Sequence, residues 1–277
     1  TVTEPLYDIL NRRALNNKEW LSLKKYSDSL GLLFFATVGF EDEVDFLSDM
    51  GCHSIKIASA DINHYPLLRK AAKTGMCIQI DTGMSALGEI EKAVDIICNE
   101  GNENIVIHQC PSGYPARLPS INLNIIKTLK TMFPYPIAYS DHTPGWEMDI
   151  AALAMGANLL EKTITFNRME RSVEHIFSLE KTEAKNFIKI VRDVEVAFGS
   201  SRRILSSEEV EKRDQVRRSA FLKGNAKEGT KFNKLSVEYR RPGDGITPDQ
   251  AEKLQNATVK NDLVAGTKLR MSDLVLV

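Results

Sequence analysis

Residues 54–59 read Ser-Ile-Lys-Ile-Ala-Ser. A lysine inside a short β-branched run belongs to a buried strand, and with isoleucine on both sides it faces a barrel interior or a cleft unless it snorkels to the surface. The same texture recurs on either side of this run, at residues 33–38, 76–81, 104–110, 136–141 and 159–165. These runs are rich in Ile, Val, Phe and Thr and nearly continuous in apolar character, which predicts strands buried on both faces of a parallel sheet. Helical periodicity fills the gaps over 41–49, 65–73, 85–99, 122–133 and 147–155. The strands recur every ~20–30 residues, the size of a βα unit. Six units in a row predict an α/β fold, either a doubly wound sheet or a (β/α) barrel.

A longer helix is expected over 182–198, closed by Gly199 as its C-cap. Residues 200–217 are polar and charged without a core pattern, and read as a linker with one helical turn. From Arg218 short alternating segments appear at 219–223, 235–239, 257–259 and 268–277, separated by Gly and Pro. They predict a small β-rich domain near the lower size limit for independent folding. The expected division is 1–199, then a linker over 200–217, then 218–277.

Composition narrows the function classes. The 277 residues are 43% hydrophobic and 26% charged, enough for a packed core. Lys plus Arg number 36 against 37 Asp plus Glu, so no bulk charge draws the chain to nucleic acid or an anionic membrane. A charged ligand must be held by a local site. Cys52, Cys77, Cys98 and Cys110 fit neither a zinc module nor a disulfide scaffold, and read as scattered thiols in a reducing compartment. No apolar run reaches the ~18 residues of a membrane span. No leader is recognisable, so a cytoplasmic location is expected. The absence of Gly-x-Gly-x-x-Gly and of a P-loop argues against dinucleotides and nucleoside triphosphates, and no nucleophile elbow is present.

The polar residues gather where such folds bind ligands, at the carboxyl ends of the strands. Lys56, Ser59 and Asp61 follow one another; then come Asp81 and Thr82, His108 and Gln109, Ser140 with Asp141 and His142, and Glu161 with Lys162, Thr163 and Thr165. One polar strand end is ordinary; five in succession point to a site. Lys56 is the candidate cation for a carboxylate or phosphate, and Lys162 follows the same logic. His142 suits metal binding or proton transfer. His175 reads as a sugar-orienting or capping residue, and His53 and His64 as structural.

Taken together, Lys56-Ile-Ala-Ser59, Asp81-Thr-Gly-Met84, His108-Gln-Cys-Pro-Ser-Gly-Tyr-Pro115, Tyr139-Ser-Asp-His142, Glu161-Lys162 and His175-Ile-Phe-Ser-Leu-Glu180 resemble the sialic acid (N-acetylneuraminate) synthases. Arg240-Arg-Pro-Gly-Asp-Gly245 and Ala265-Gly-Thr-Lys-Leu269 resemble their antifreeze-like (SAF) domain. The resemblance implies a (β/α)8 TIM-type barrel, with six of the eight strands in this chain, followed by the small β-rich domain. It also implies a reaction: phosphoenolpyruvate condenses with an N-acylated hexose such as N-acetylmannosamine, giving a nine-carbon α-keto acid and phosphate. A divalent cation, Mn2+ or Mg2+, and a domain-swapped homodimer are implied with it.

Carried over by position, Lys56, Asp61 and His142 are the expected catalytic residues. Lys56, Ser59 and Ser140 match phosphoenolpyruvate contacts, and His142 a metal ligand. Thr37, Ser112, Tyr114 and Glu174 are expected on the substrate, and Arg241 on the sugar of the partner copy. The sequence departs from the family pattern at several of these places. Thr163 stands where a second metal-binding His is usual, Ser112 where an Asn is, Ala60 where a Gly is, and Glu174 where an Asp is. Val38-Gly-Phe40 replaces a Pro-Phe-Asp turn. With two strands uncounted, the expectation is a fragment of a longer protein or a decayed copy. Two rival readings stand beside the synthase: a Schiff-base pyruvate aldolase using Lys56 or Lys162, and a non-catalytic carbohydrate-binding protein.

Overall fold

The computed structural model describes residues 4–276. Residues 1–3 of the expected first domain, and Val277 of the expected last strand, lie outside the described residues. The described chain forms two compact units that divide after Phe198.

The first unit opens with two helices the sequence reading does not anticipate, α1 (Leu6–Asn11) and α2 (Asn17–Ser29). Neither buries a residue, so neither carries an apolar stripe to read. A local device starts α2. Asn16 accepts from the amides of Lys18 and Glu19, and the Glu19 carboxylate returns to the Asn16 amide. Strands and helices then alternate: β1 (Ala36–Val38), α3 (Glu41–Asp49), β2 (Ser54–Ile57), α4 (Tyr65–Ala72), β3 (Cys77–Asp81), α5 (Leu87–Asn99), β4 (Ile105–Gln109), the short α6 (Leu118–Ile121), α7 (Asn124–Met132), β5 (Ile137–Asp141), α8 (Glu147–Ala154), β6 (Leu159–Lys162) and α9 (Lys181–Phe198).

The six strands are parallel and lie in the sheet in chain order, β1 to β6. A doubly wound sheet needs a reversal of strand order, and none occurs here. The order is that of a (β/α) barrel wall. Curvature follows from one contact. β2 and β6 are four strands apart, about 19 Å in a flat sheet at ~4.8 Å per strand, yet Lys56 on β2 touches Glu161 on β6 at 2.5 Å. The sheet therefore bends strongly around the face that carries both side chains. β1 and β6 each have a single strand neighbour among the described residues.

The two faces of this sheet differ. Ile55, Ile57, Ile78, Ile80, Ile105, Ile107, Ile137 and Tyr139 point outward and join one buried cluster with Leu67, Leu68, Ala93, Ile97, Ile126 and Leu129 of the helices. The alternate positions, pointing inward, are mostly polar: Ser54 and Lys56, Gln79 and Asp81, His108, Ser140 and Glu161. The strands are buried on both faces, but only the outer face is a hydrocarbon core.

The second unit contains α10 (Ser207–Val216), β7 (Ser219–Leu222), β8 (Val237–Arg240), α11 (Pro248–Lys253), β9 (Thr258–Val259) and β10 (Leu274–Val275). The segment expected to hold one helical turn is thus a ten-residue helix, α10, begun by a Ser206–Glu209 capping box and burying nothing. β7 pairs antiparallel with β8, and β9 with β10. The unit has its own core of Ala220, Leu222, Phe232, Ile246, Val259 and Leu269. Gly245 has to be glycine there, because a Cβ would stand 2.6 Å from the Leu269 carbonyl oxygen. No helix among the described residues is long and apolar enough to cross a membrane.

Candidate active site

The inward polar side chains of the first unit form one continuous network. Lys56 Nζ lies 2.5 and 2.6 Å from the two Glu161 oxygens and 2.9 Å from Asp81 Oδ2. Asp81 Oδ1 accepts from Ser140 Oγ at 3.0 Å. Ser140 Oγ is 2.9 Å from His108 Nδ1, and His108 Nε2 is 2.9 Å from the Gln79 amide oxygen. The Gln79 amide reaches Ser54 Oγ at 2.6 Å. Five strands contribute, and every member from Gln79 to Ser140 is buried.

Burial alone would lower the Lys56 pKa, but the Asp81 and Glu161 carboxylates outweigh it and hold the ammonium above its ordinary value. Burial pushes the His108 pKa down, assisted by the Lys56 charge, so its imidazole is neutral near pH 7. Proton counting then orders the network. Asp81, as the carboxylate of an ion pair, can only accept. Ser140 has one hydroxyl proton, gives it to Asp81, and accepts from His108 Nδ1–H. A neutral His108 is then an acceptor at Nε2. The Gln79 NH2 satisfies it once the amide is turned by 180°, an exchange of oxygen and nitrogen at the same two positions. The result is a fixed chain of donors running toward Asp81, with no unpaired polar atom.

The other expected residues are spread around this network. Ser59 begins a short 3-10 turn that also holds Asp61. Ser59 Oγ accepts from the Gly83 amide at 3.0 Å. A Cβ on Gly83 would meet Ser59 Oγ at 2.8 Å and Ser112 Oγ at 3.3 Å, so this glycine lets the Ser59 and Ser112 loops close on the end of β3. His142 is buried, with Nδ1 3.3 Å from the Pro111 carbonyl. A carbonyl only accepts, so Nδ1 carries the proton and Nε2 has the free lone pair. The Tyr114 ring lies on His142 at 4.6 Å between centroids, and Phe177 lies near both. Thr37 is exposed on β1, and Glu174 is half-buried with its carbonyl capping Phe177 and Ser178. Arg241 belongs to the second unit, where Nε donates to the Val216 carbonyl at 2.9 Å.

Lys162 requires a correction. It sits one residue past Glu161 and so points to the opposite face. There it contacts Asp141, and Asp149 at 3.3 Å, and donates to the Thr143 carbonyl at 2.7 Å. It is a buried structural cation on the helix side of the sheet, apart from the Lys56 network. The Schiff-base reading loses both of its lysines: an amine acts as a nucleophile only when neutral, Lys56 is held protonated, and Lys162 is tied to the buried Asp141 carboxylate and the Thr143 carbonyl. The nearby thiol is inert as well, since burial pushes Cys110 up to about 12.

The expected divalent cation does not fit the donors present. Among the described residues no group of three His, Cys, Asp or Glu side chains could hold a metal ion. His142 Nε2 is one suitable donor. The Thr163 hydroxyl is buried without a hydrogen-bond partner among the described residues. A single imidazole and an aliphatic hydroxyl are a poor donor set for Mn2+ or Mg2+.

Gln79 and Ser54 are network members that no sequence motif flagged. The available signal was alternation: Cys77-Ile-Gln-Ile-Asp81 places isoleucine on one face and polar groups on the other.

Comparison with known proteins gives a consistent result. The NeuB family model matches residues 1–203. The N,N'-diacetyllegionaminic acid synthase of Legionella pneumophila is 32% identical over 267 residues, covering 95% of this chain and 75% of that one. The human N-acetylneuraminate-9-phosphate synthase is 32% identical over 237 residues, covering 84% of this chain and 66% of that one. Among solved structures, the N-acetylneuraminic acid synthetase of Leptospira borgpetersenii, crystallised with citrate, superposes with a TM-score of 0.69. It is 31% identical, over 74% of this chain and 72% of that one.

Proposed function

This chain belongs to the NeuB family, and we propose that it condenses phosphoenolpyruvate with an N-acylated hexose, giving a nine-carbon α-keto acid of the sialic type and inorganic phosphate. The observation that carries the proposal is the Lys56 network at the carboxyl ends of β2 to β6. It supplies a buried ammonium and ordered hydroxyl and imidazole groups where a small anionic substrate enters such a fold.

In the proposed reaction, C3 of the enolpyruvate attacks the aldehyde carbon of the open-chain sugar, forming the carbon–carbon bond. The enol C2 becomes an oxocarbenium centre, water adds there, and the C2–O bond to phosphate breaks. Lys56 and Ser59 are assigned to the phosphoenolpyruvate directly, and Ser140, whose hydroxyl proton goes to Asp81, to holding Asp81 beside Lys56. The attacking water loses a proton and the alkoxide on the sugar gains one; His142 Nε2, which has a free lone pair to take the water's proton, and Asp61 are the groups assigned to that transfer. Tyr114, Glu174, Thr37 and Ser112 are assigned to the sugar, and Arg241 to the site of a partner copy in a homodimer. The expected setting is the cytoplasm.

The test is release of phosphate from phosphoenolpyruvate across a panel of N-acylated hexoses, with product mass and the sedimentation of the active species recorded together. The expected outcome is phosphate release strictly dependent on one acceptor, a product of acceptor plus pyruvate mass, and a dimer. Sugar binding without phosphate release, with Mn2+ or Mg2+ in excess, would establish the carbohydrate-binding reading instead.

A further inference from the structure

Carboxylates already surround the Lys56 ammonium. An ammonium has three N–H groups, and three carboxylate oxygens lie within 2.9 Å of Nζ, two from Glu161 and one from Asp81. The group of Lys56, Asp81 and Glu161 with a neutral His108 carries one net negative charge. An anion approaching this resting arrangement meets repulsion and an ammonium already paired with two carboxylates. It gains the ammonium only by replacing one of the two carboxylates.

The two carboxylates are not equivalent. The Asp81 side chain is 10% exposed, and its second oxygen is fixed by Ser140, itself held by His108 and Gln79. The Glu161 side chain is 33% exposed. Beyond Lys56, the one other basic group within 4 Å of its carboxylate among the described residues is His108 Nδ1 at 3.8 Å, and that proton is committed to Ser140. Glu161 also has one more methylene than Asp81 and sits on a strand with a single neighbour among the described residues. Moving Asp81 breaks a buried chain of hydrogen bonds; moving Glu161 breaks only its contact with Lys56.

We infer that Glu161 is a placeholder that occupies the anion position on Lys56 and swings out when the carboxylate or phosphate of a substrate takes its place, while Asp81 remains as the fixed partner. The inference rests on the proposal that this site binds an anionic substrate. It adds that substrate affinity is set by competition between a resident carboxylate and the incoming anion. The exchange is also selective, since a neutral sugar cannot displace Glu161 and an anion can.

The experiment is calorimetric titration of inorganic phosphate into the full chain and into Glu161→Gln, Glu161→Asp and Asp81→Asn, each first checked for an unchanged melting curve. Loss of the carboxylate that competes for the Lys56 ammonium tightens phosphate binding in E161Q by about tenfold. E161D keeps the charge but loses reach, and is expected to tighten binding as well, which a purely electrostatic role would not produce. D81N is expected to change affinity by less than about threefold, because Glu161 still covers Lys56. Equal affinity in wild type, E161Q and E161D overturns the inference, as does a D81N effect as large as that of E161Q. Phosphate release from phosphoenolpyruvate on the same samples separates this from the functional reading. Turnover in wild type with phosphate affinity unmoved in both Glu161 variants overturns the placeholder alone. Tightened phosphate binding with no turnover for any acceptor supports the placeholder and removes the synthase.

Discussion

Position parity decides what each charged residue in the first unit does. Lys56 was legible because isoleucines flank it on a strand whose inner face is polar. Lys162 follows the same logic in sequence, yet faces the other way, because one residue along a strand is one change of face. Its environment places two buried acidic side chains, Asp141 and Asp149, on one ammonium. Asp149 is fully buried and neither of its carboxylate oxygens has a hydrogen-bond partner among the described residues. Burial, with the neighbouring Asp141 charge, pushes its pKa up to about 8, and the attraction of Lys162 only partly offsets them because Asp141 takes the shorter contact. A raised carboxyl pKa means that between about pH 4 and pH 8 the folded protein keeps a proton that the unfolded chain has lost. Stability therefore falls as pH rises through that window, by at most about 1.4 kcal/mol per pH unit. Asp149→Asn removes the penalty. Its melting temperature is expected to gain on wild type steadily from pH 5 to pH 8, at about 2–4 °C per kcal/mol. Parallel curves across that range would mean that Asp149 is ionised throughout as a partner of Lys162.

At the scale of elements, alternation of apolar and polar residues told more than composition. The expected positions of six strands and the helices between them match the structure to within a few residues, because these helices bury apolar side chains such as Val44, Leu67, Ile97, Leu129 and Ala152 in the cluster that covers the sheet. Of the helices that escaped reading, α1, α2 and α10 bury no residue and so leave no stripe, and the short α6 and α11 bury one residue each. Periodicity could not separate a barrel wall from a doubly wound sheet, since both are strings of βα units; strand order separates them. Near-continuous apolar runs also concealed the polar inner face, because Lys56, Gln79 and His108 each sit between two isoleucines or beside one. The two faces should fail differently when mutated. Ile78 and Gln79 are neighbours on β3, and the Ile78 side chain is fully buried in the outer core. Ile78→Ala is expected to cost about 2–5 kcal/mol of stability with kcat little changed in the folded fraction. Gln79→Ala strands the partners of His108 and Ser54, costs about 1–3 kcal/mol, and lowers kcat through loss of the His108 tautomer. Denaturant melts and steady-state rates on both variants check this, and a Gln79→Ala enzyme with full kcat would separate the hydrogen-bond chain from catalysis.

For the molecule as a whole, the question is whether its two cores share one transition. Each unit encloses its own buried cluster, the first built on the parallel sheet and the second on Ala220, Leu222, Phe232, Ile246 and Leu269. The segment around residues 200–206 carries no regular structure and exposed side chains throughout. Cooperativity comes from shared buried contacts, and each cluster draws its members from one unit, so each is expected to unfold as its own step. Scanning calorimetry of the full chain is therefore expected to resolve two transitions. Phosphate assigns them, because the Lys56 network lies wholly within the first unit. A ligand at about one hundred times its Kd adds about 2.7 kcal/mol to whatever unit binds it. That amounts to roughly 5–10 °C for a domain of this size. The upper or lower peak that moves belongs to the first unit, the stationary one to the second, and the shift should be larger in Glu161→Gln than in wild type at equal phosphate. A single peak that moves as a whole would mean that the two cores unfold together, and the stabilisation by anions would then reach the second unit as well.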